Sequence, residues 1–197
     1  MTDLQNNGSR SLYSFEGLYD VADVRNEVFS VGVWFPSTRI YKRDIFKKLR
    51  FPVGVFYEDL MTISQIYLQD LSVFFINRPL IGYRFNPKST TALHTESHAK
   101  DMLNFYKSLA VLDDSVAVDI LKIKTARGIA YFYNELMLSD FPINKVLADL
   151  KKIKRRSVLL KNLKFPDLFF FMMTSVYMGI DKIRLASLKK KSGRSFS

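Results

Sequence analysis

The chain has 197 residues, of which 48% are apolar and 14% aromatic, so it can bury a sizeable core and does not have the composition of a disordered protein. It contains no cysteine, which excludes disulfides and thiolate metal sites. The net charge of +11 is unevenly placed: residues 1–97 have 11 Lys/Arg and 10 Asp/Glu, whereas residues 98–197 have 19 and 9. We therefore expect the second half to face an anionic surface.

The first half alternates predicted helices and strands. The first 14 residues are predicted to be frayed, and Asp20 is predicted to cap a helix over 21–29 whose valines share one face. The short apolar run 31–35 is typical of a strand or a buried approach to the core. Further along, the patterns predict a short helix from Asp44 to Leu49, an extended segment over 50–56, a helix over about 60–69, and strands over 71–76 and 80–85.

The second half is predicted to be helical. Apolar periodicity indicates helices from about residue 98 to 112, from 115 to 139 and from 166 to 188, and a basic helix over 145–156 that Asn144 would cap. We therefore predict an α/β fold, α+β as it stands, in three parts. These are residues 1–97 as a mixed domain, 98–188 as a basic helical extension, and 189–197 as a basic disordered tail.

The adjacent carboxylates Glu58 and Asp59 stand where an extended segment turns into a predicted helix. On the local pattern, Asp59 is a helix N-cap, a role worth about 1 kcal/mol. A carboxylate at such a junction can also act as a general base. The helix N-terminus would keep it ionised and lower its basicity. Both interpretations stay open at this point.

Three blocks, in this order, resemble the acceptor half of a family 2 glycosyltransferase. Together they cover roughly residues 18–92. The blocks are Arg39-Ile40-Tyr41-Lys42-Arg43-Asp44-Ile45-Phe46, then Phe51-Pro52 with Tyr57-Glu58-Asp59-Leu60 and Thr62, then Pro79-Leu80-Ile81-Gly82-Tyr83-Arg84 with Ser89-Thr90-Thr91.

The resemblance implies part of a GT-A-like sheet with flanking helices. It also implies inverting transfer of a hexose from a nucleotide-sugar to a glycan or lipid-linked acceptor, in surface polysaccharide or lipopolysaccharide biosynthesis. Asp59 would be the base that deprotonates the acceptor hydroxyl, and Glu58 would orient the base or the acceptor. By the same resemblance, Arg84, Ser89 and Thr90 are expected to bind substrate.

The resemblance also implies Mg²⁺ or Mn²⁺, but the sequence has no Asp-x-Asp motif to hold it. His94 is a weak candidate metal ligand, four residues before His98. We expect the nucleotide-binding half to be missing, so the chain would be a truncated enzyme that is inactive alone. A second polypeptide or self-association would then complete it. The alternative is a non-catalytic basic module that binds a membrane surface.

A basic segment precedes an uncharged apolar run near the end of the chain. Residues 145–164 hold eight Lys/Arg and one acid, and residues 168–180 carry no charge. A spanning helix needs roughly 20 apolar residues, so this run predicts either a core helix or an interfacial one. The basic flanks favour an anionic membrane surface, with a cytoplasmic chain peripheral at the inner membrane face. Nucleic acid is the less favoured partner, because the aromatic residues cluster apart from the lysines.

Overall fold

A computed structural model of the chain describes residues 2–3, 8–9, 11–83, 94–113 and 115–192. The chain divides into two units, Met1–Leu93 and His94–Ser197, called unit 1 and unit 2 below. Unit 1 carries the described strands and unit 2 is built from helices. This is consistent with the predicted mixture of helices and strands. The functional roles assigned to the parts of the chain stay predictions.

Unit 1 contains two small sheets. Its strands are β1 (Thr2–Asp3), β2 (Gly8–Ser9), β3 (Gly17–Asp20), β4 (Ser72–Phe75) and β5 (Gly82–Tyr83). Strands β3 and β4 pair antiparallel, with Gly17 opposite Phe75 and Asp20 opposite Ser72. In the other sheet, β1 lies between β2 and β5 and runs parallel to β5. The prediction of a frayed N-terminus is wrong for β1 and β2, because both pair with other strands.

The helices of unit 1 are α1 (Val21–Val31) and α2 (Glu58–Ile66), with 3₁₀ turns at Pro36–Thr38 and Arg43–Lys47. The valine face of α1 is buried as predicted. Residues 31–35 form no strand, because Gly32 adopts a left-handed conformation (φ 66°) that closes α1.

Of two helix caps predicted in unit 1, the position of Asp20 is confirmed and that of Asp44 is wrong. Asp20 occupies the N-cap position of α1, but its carboxylate accepts a hydrogen bond from Ser72 Oγ over 3.2 Å instead of capping the helix. Asp44 lies inside the 3₁₀ turn that follows Lys42, and its carboxylate pairs with Lys47. In both cases a nearby polar partner takes the side chain that the sequence pattern assigns to the helix end.

Unit 2 is a bundle around one long helix. Its helices are α3 (Glu96–Ser108), α4 (Val116–Leu136), α5 (Ile143–Leu150), α6 (Ser157–Asn162), α7 (Phe165–Met172) and α8 (Thr174–Ser192). Helix α4 contacts each of the other five. Ile120, Ile123 and Ile129 on α4 are completely buried, so this helix supplies much of the core. The predicted α4 is confirmed, with Ser115 at its N-cap.

The other helical predictions in unit 2 are corrected at their ends. Helix α5 stops at Leu150, and Pro142 rather than Asn144 holds its N-cap position. Residues 151–156 therefore lie between helices, where Arg156 Nη2 donates to the buried carboxylate of Asp119 over 2.5 Å. Helix α6 was not predicted. The predicted tail is wrong at its start, because α8 continues to Ser192.

The long apolar helix predicted over 166–188 is two helices. Met173, at φ −134° and ψ 49°, leaves the helical region between α7 and α8. Within the uncharged run, Phe170 and Phe171 are buried, whereas Met172 and Met173 are exposed. The run is therefore partly core and partly surface. Across the described residues, every helix is too short or too polar to cross a bilayer.

Candidate functional site

Asp59 lies in the first turn of α2, one residue inside the helix. The N-cap is Tyr57, in a left-handed conformation (φ 63°, ψ 31°), so α2 begins at Glu58. The interpretation of Asp59 as the N-cap is therefore wrong. Its Oδ1 accepts a hydrogen bond from the backbone N–H of Leu60 over 2.6 Å. Asp59 is half-buried and Glu58 is exposed, so the two carboxylates differ in environment.

The pKa of Asp59 is raised above its usual value of 3.8, mainly because burial disfavours the charged form. The Leu60 N–H lowers the pKa, and the negative charge of Glu58 raises it. A smaller lowering comes from the positive charge of Arg39. The backbone N–H groups at the start of α2 do lower the pKa, as expected for a helix N-terminus, but burial outweighs them. A raised pKa makes the carboxylate a better proton acceptor once it is ionised.

Arg39 is fixed in position by backbone carbonyls. Its Nη2 donates to the carbonyl of Val33 over 2.5 Å, and its Nη1 donates to that of Phe35 over 3.1 Å. Its Nε donates to the hydroxyl of Tyr67 over 3.1 Å, and the guanidinium lies 5.4 Å from the centre of the Tyr67 ring. An arginine held in this way presents its charge at a defined place.

Tyr41 belongs to the same electrostatic cluster. Its hydroxyl is buried and has no hydrogen-bond partner among the residues that the structure describes. Burial raises the pKa of Tyr41 to about 12, against the opposing charge of Arg39, and the charge of Asp59 raises it further. The hydroxyl therefore stays protonated and can donate a hydrogen bond. We define Arg39, Tyr41, Asp59 and Tyr67 as the Asp59 cluster.

The sequence identified Asp59 but assigned no role to Arg39 or Tyr41. The available signal was the Arg39–Phe46 block, in which both residues occur. The proposed substrate-binding residues Arg84, Ser89 and Thr90 lie outside the described residues, and their roles stay predictions.

His94 lies in unit 2 and has an acidic partner that the sequence did not reveal. Its Nδ1 is 2.6 Å from Glu135 Oε2, and the hydroxyl of Tyr131 donates to Glu135 Oε1 over 3.0 Å. The Nδ1 of His98 accepts the backbone N–H of Thr95 over 3.1 Å. Within the described parts of the chain, no three His, Cys, Asp or Glu side chains are grouped to hold a metal ion. The metal role of His94 stays a prediction.

Comparison with known proteins gives a partial relationship. A stretch of 82 residues is 29% identical to the glycosyltransferase GlyA of Streptococcus pneumoniae serotype 4, and it covers 42% of this chain. The same stretch is 11% of that protein, so the chain spans about a tenth of this relative's length. No family model and no solved structure matches the chain. These findings support a glycosyltransferase relationship and nothing more specific.

Proposed function

We propose that this chain is the acceptor-side part of an inverting, nucleotide-sugar-dependent glycosyltransferase of the GT-A type, with Asp59 as its general base. The observation that carries the proposal is the environment of Asp59, a half-buried carboxylate with a raised pKa at the start of α2. The partial similarity to a glycosyltransferase supports the reaction class. Fold and family resemblance alone do not establish an activity, so the residues must carry the argument.

The chemistry assigned to Asp59 is proton abstraction. Its Oδ1 is occupied by the Leu60 N–H, which leaves Oδ2 to take the proton of the acceptor hydroxyl. The acceptor oxygen then forms a bond to the anomeric carbon as the bond from that carbon to the nucleotide diphosphate breaks. Because attack and departure occur on opposite faces, the anomeric configuration inverts. A positioned base of this kind accelerates a reaction by roughly 10²–10⁴-fold.

The other members of the Asp59 cluster would support this step. The positive charge of Arg39 lowers the pKa of Asp59, which favours the ionised carboxylate that would act as the base. Arg84, Ser89 and Thr90 would complete the acceptor site. The acceptor would be a glycan or lipid-linked sugar in surface polysaccharide or lipopolysaccharide biosynthesis.

The donor side is assigned to polypeptide beyond these 197 residues. The resemblance implies Mg²⁺ or Mn²⁺, but the sequence lacks Asp-x-Asp, and no metal-binding group of three side chains occurs among the described residues. The described residues do not fit such a metal, and we derive no step through it. The nucleotide-sugar would bind another segment of polypeptide, on the same or on a second chain.

Two measurements test the proposal. Calorimetric titration of the purified chain with UDP-, GDP- and dTDP-sugars, in the presence of Mn²⁺, should show no saturable binding. Saturable binding would mean that this chain itself contains the donor site, and it would contradict the assignment.

Transfer is then assayed with the donor-binding part present. Asp59→Asn should lower the transfer rate by roughly 10²–10⁴-fold. Glu58→Gln changes the exposed neighbour and should have a much smaller effect. Retention of most of the rate by Asp59→Asn would reject the base assignment.

A further inference from the structure

An exposed apolar stripe runs along α8. Within the helix, Val176, Ile180 and Ile183 are separated by four and three residues, which places their side chains on one face, and Met173 immediately precedes the helix. These four side chains are 46–70% exposed. Phe165 (77% exposed) and Met172 (41%) add apolar surface on α7. We call these six residues the α7–α8 face.

The stripe does not face the core of unit 2. The buried side of α8 carries Asp181 and Leu185, which are 5% and 7% exposed. Asn134 on α4 donates to Asp181 Oδ2 over 3.3 Å, so this side of α8 faces α4. At 100° per residue, the stripe points roughly opposite to Asp181 and Leu185. The apolar side chains of the stripe are therefore surface residues of a helix whose other side is already packed.

In the segment that carries this face, the exposed charge has one sign. Residues 151–192 contain 12 Lys/Arg and two acids, Asp167 and Asp181. Asp167 is 2% exposed and paired with Lys124 and Arg127, and Asp181 is 5% exposed and paired with Arg184. Neither acid offers negative charge to solvent, so the exposed charged side chains that the structure describes in this segment are all positive.

We propose that the α7–α8 face docks on an anionic lipid bilayer, with α8 lying in the plane of the interface. An apolar stripe beside lysines and arginines is complementary to acyl chains beneath negative headgroups. A second copy of the chain is a poorer occupant, because contact would bring two positive surfaces together. The proposal concerns location and is independent of the proposed transfer reaction.

Vesicle sedimentation with the full chain tests the proposal. One vesicle population is phosphatidylcholine alone, and the other contains about 30 mol% phosphatidylglycerol. We expect the chain to bind the anionic vesicles at least about tenfold more tightly than the neutral ones, and raising the salt to about 0.5 M should weaken binding. Equal binding to both vesicle types, or binding to neither, would overturn the proposal.

Paired variants identify the face that binds. Val176→Gln with Ile180→Gln should weaken binding to anionic vesicles by about tenfold or more. Val53→Gln with Ile40→Gln is the matched control, since Val53 and Ile40 are 96% and 101% exposed and lie in unit 1. The control should bind like the parent chain, and circular dichroism should show both variants folded.

Two results would reject this face. One is an equal loss of vesicle binding in both double variants. The other is a concentration-dependent dimer, seen by sedimentation velocity without lipid, that Val176→Gln with Ile180→Gln dissociates while vesicle binding persists unchanged. That second result would assign the face to a second copy of the chain.

Discussion

Arg127 Nε on α4 donates a hydrogen bond to Asp167 Oδ1 on α7 over 2.7 Å, although 40 residues separate them in the chain. Lys124 Nζ donates to the other oxygen, Oδ2, over 2.9 Å. Asp167 is 2% exposed, so its charge is removed from water and compensated by two cations. Removing either partner of a buried ion pair leaves an uncompensated charge in the protein interior. This strongly destabilises the folded state. The arrangement joins the last third of the chain to the central helix.

The first prediction follows from this pairing. Asp167→Asn should lower the free energy of unfolding by about 3 kcal/mol, because Lys124 and Arg127 would keep their charges without a carboxylate. Urea unfolding followed by circular dichroism measures the loss. Asp44→Asn is the control, since Asp44 and Lys47 are 77% and 72% exposed. An exposed pair contributes at most about 1 kcal/mol. Equal losses in the two variants would contradict the prediction.

The parts of the fold that depend on local apolar spacing could be predicted from the sequence. The valine face of α1 and the buried isoleucines of α4 follow a 3.6-residue period, and both helices occur as expected. The pairing of Asp167 could not be predicted, because its partners lie 40 and 43 residues away. The break at Met173 was not predicted either, although the polar pair Thr174-Ser175 follows it and interrupts the apolar run.

The candidate site, too, could be predicted only where it depends on local sequence. The acidic pair is visible in the sequence. The start of α2, however, depends on the backbone of Tyr57 adopting a left-handed conformation, which residues other than glycine rarely take. This shift placed Asp59 inside the helix rather than at its cap. The raised pKa of Asp59 results from burial, which is a tertiary property. Arg39 is positioned by the carbonyls of Val33 and Phe35, and side-chain patterns carry no information about such contacts.

The second prediction concerns the start of the central helix. The backbone N–H of Val118 donates to Ser115 Oγ over 3.3 Å, which caps α4. Ser115→Ala should lower the free energy of unfolding by about 1 kcal/mol, and Ser115→Asp should restore most of it. Urea unfolding by circular dichroism compares the three chains. If the alanine and aspartate variants were equally stable, the hydroxyl would contribute nothing as a cap.

The third prediction concerns the charge of Arg39. Because this charge lowers the pKa of Asp59, Arg39→Gln should raise that pKa further. Arg39→Lys keeps the charge but loses the planar fork that holds the carbonyls of Val33 and Phe35, so its effect should be smaller. Carboxyl-carbon NMR titration measures the pKa of Asp59 in the parent chain and in both Arg39 variants. An unchanged Asp59 pKa in Arg39→Gln would remove Arg39 from the electrostatics of the site.

The last prediction follows from the direction of the Asp59 pKa shift. Its pKa in the folded chain lies above the ordinary value of 3.8, so between these two values the folded state binds more protons than the unfolded state. The contribution of Asp59 to the free energy of unfolding is therefore most favourable below pH 3.8 and decreases as the pH rises through the folded pKa.

Asp59→Asn removes this dependence while keeping an oxygen for the Leu60 N–H. The stability of the variant relative to the parent should therefore increase with pH across that window. Fluorescence of Trp34, the one tryptophan of the chain and a buried residue of unit 1, reports urea unfolding at each pH. Asp23→Asn, which removes an exposed carboxylate on α1, is the control. A difference between Asp59→Asn and the parent that is flat with pH, or that falls as pH rises, would mean that burial does not raise the pKa of Asp59. The carboxylate would then lose the property that distinguishes it as a base.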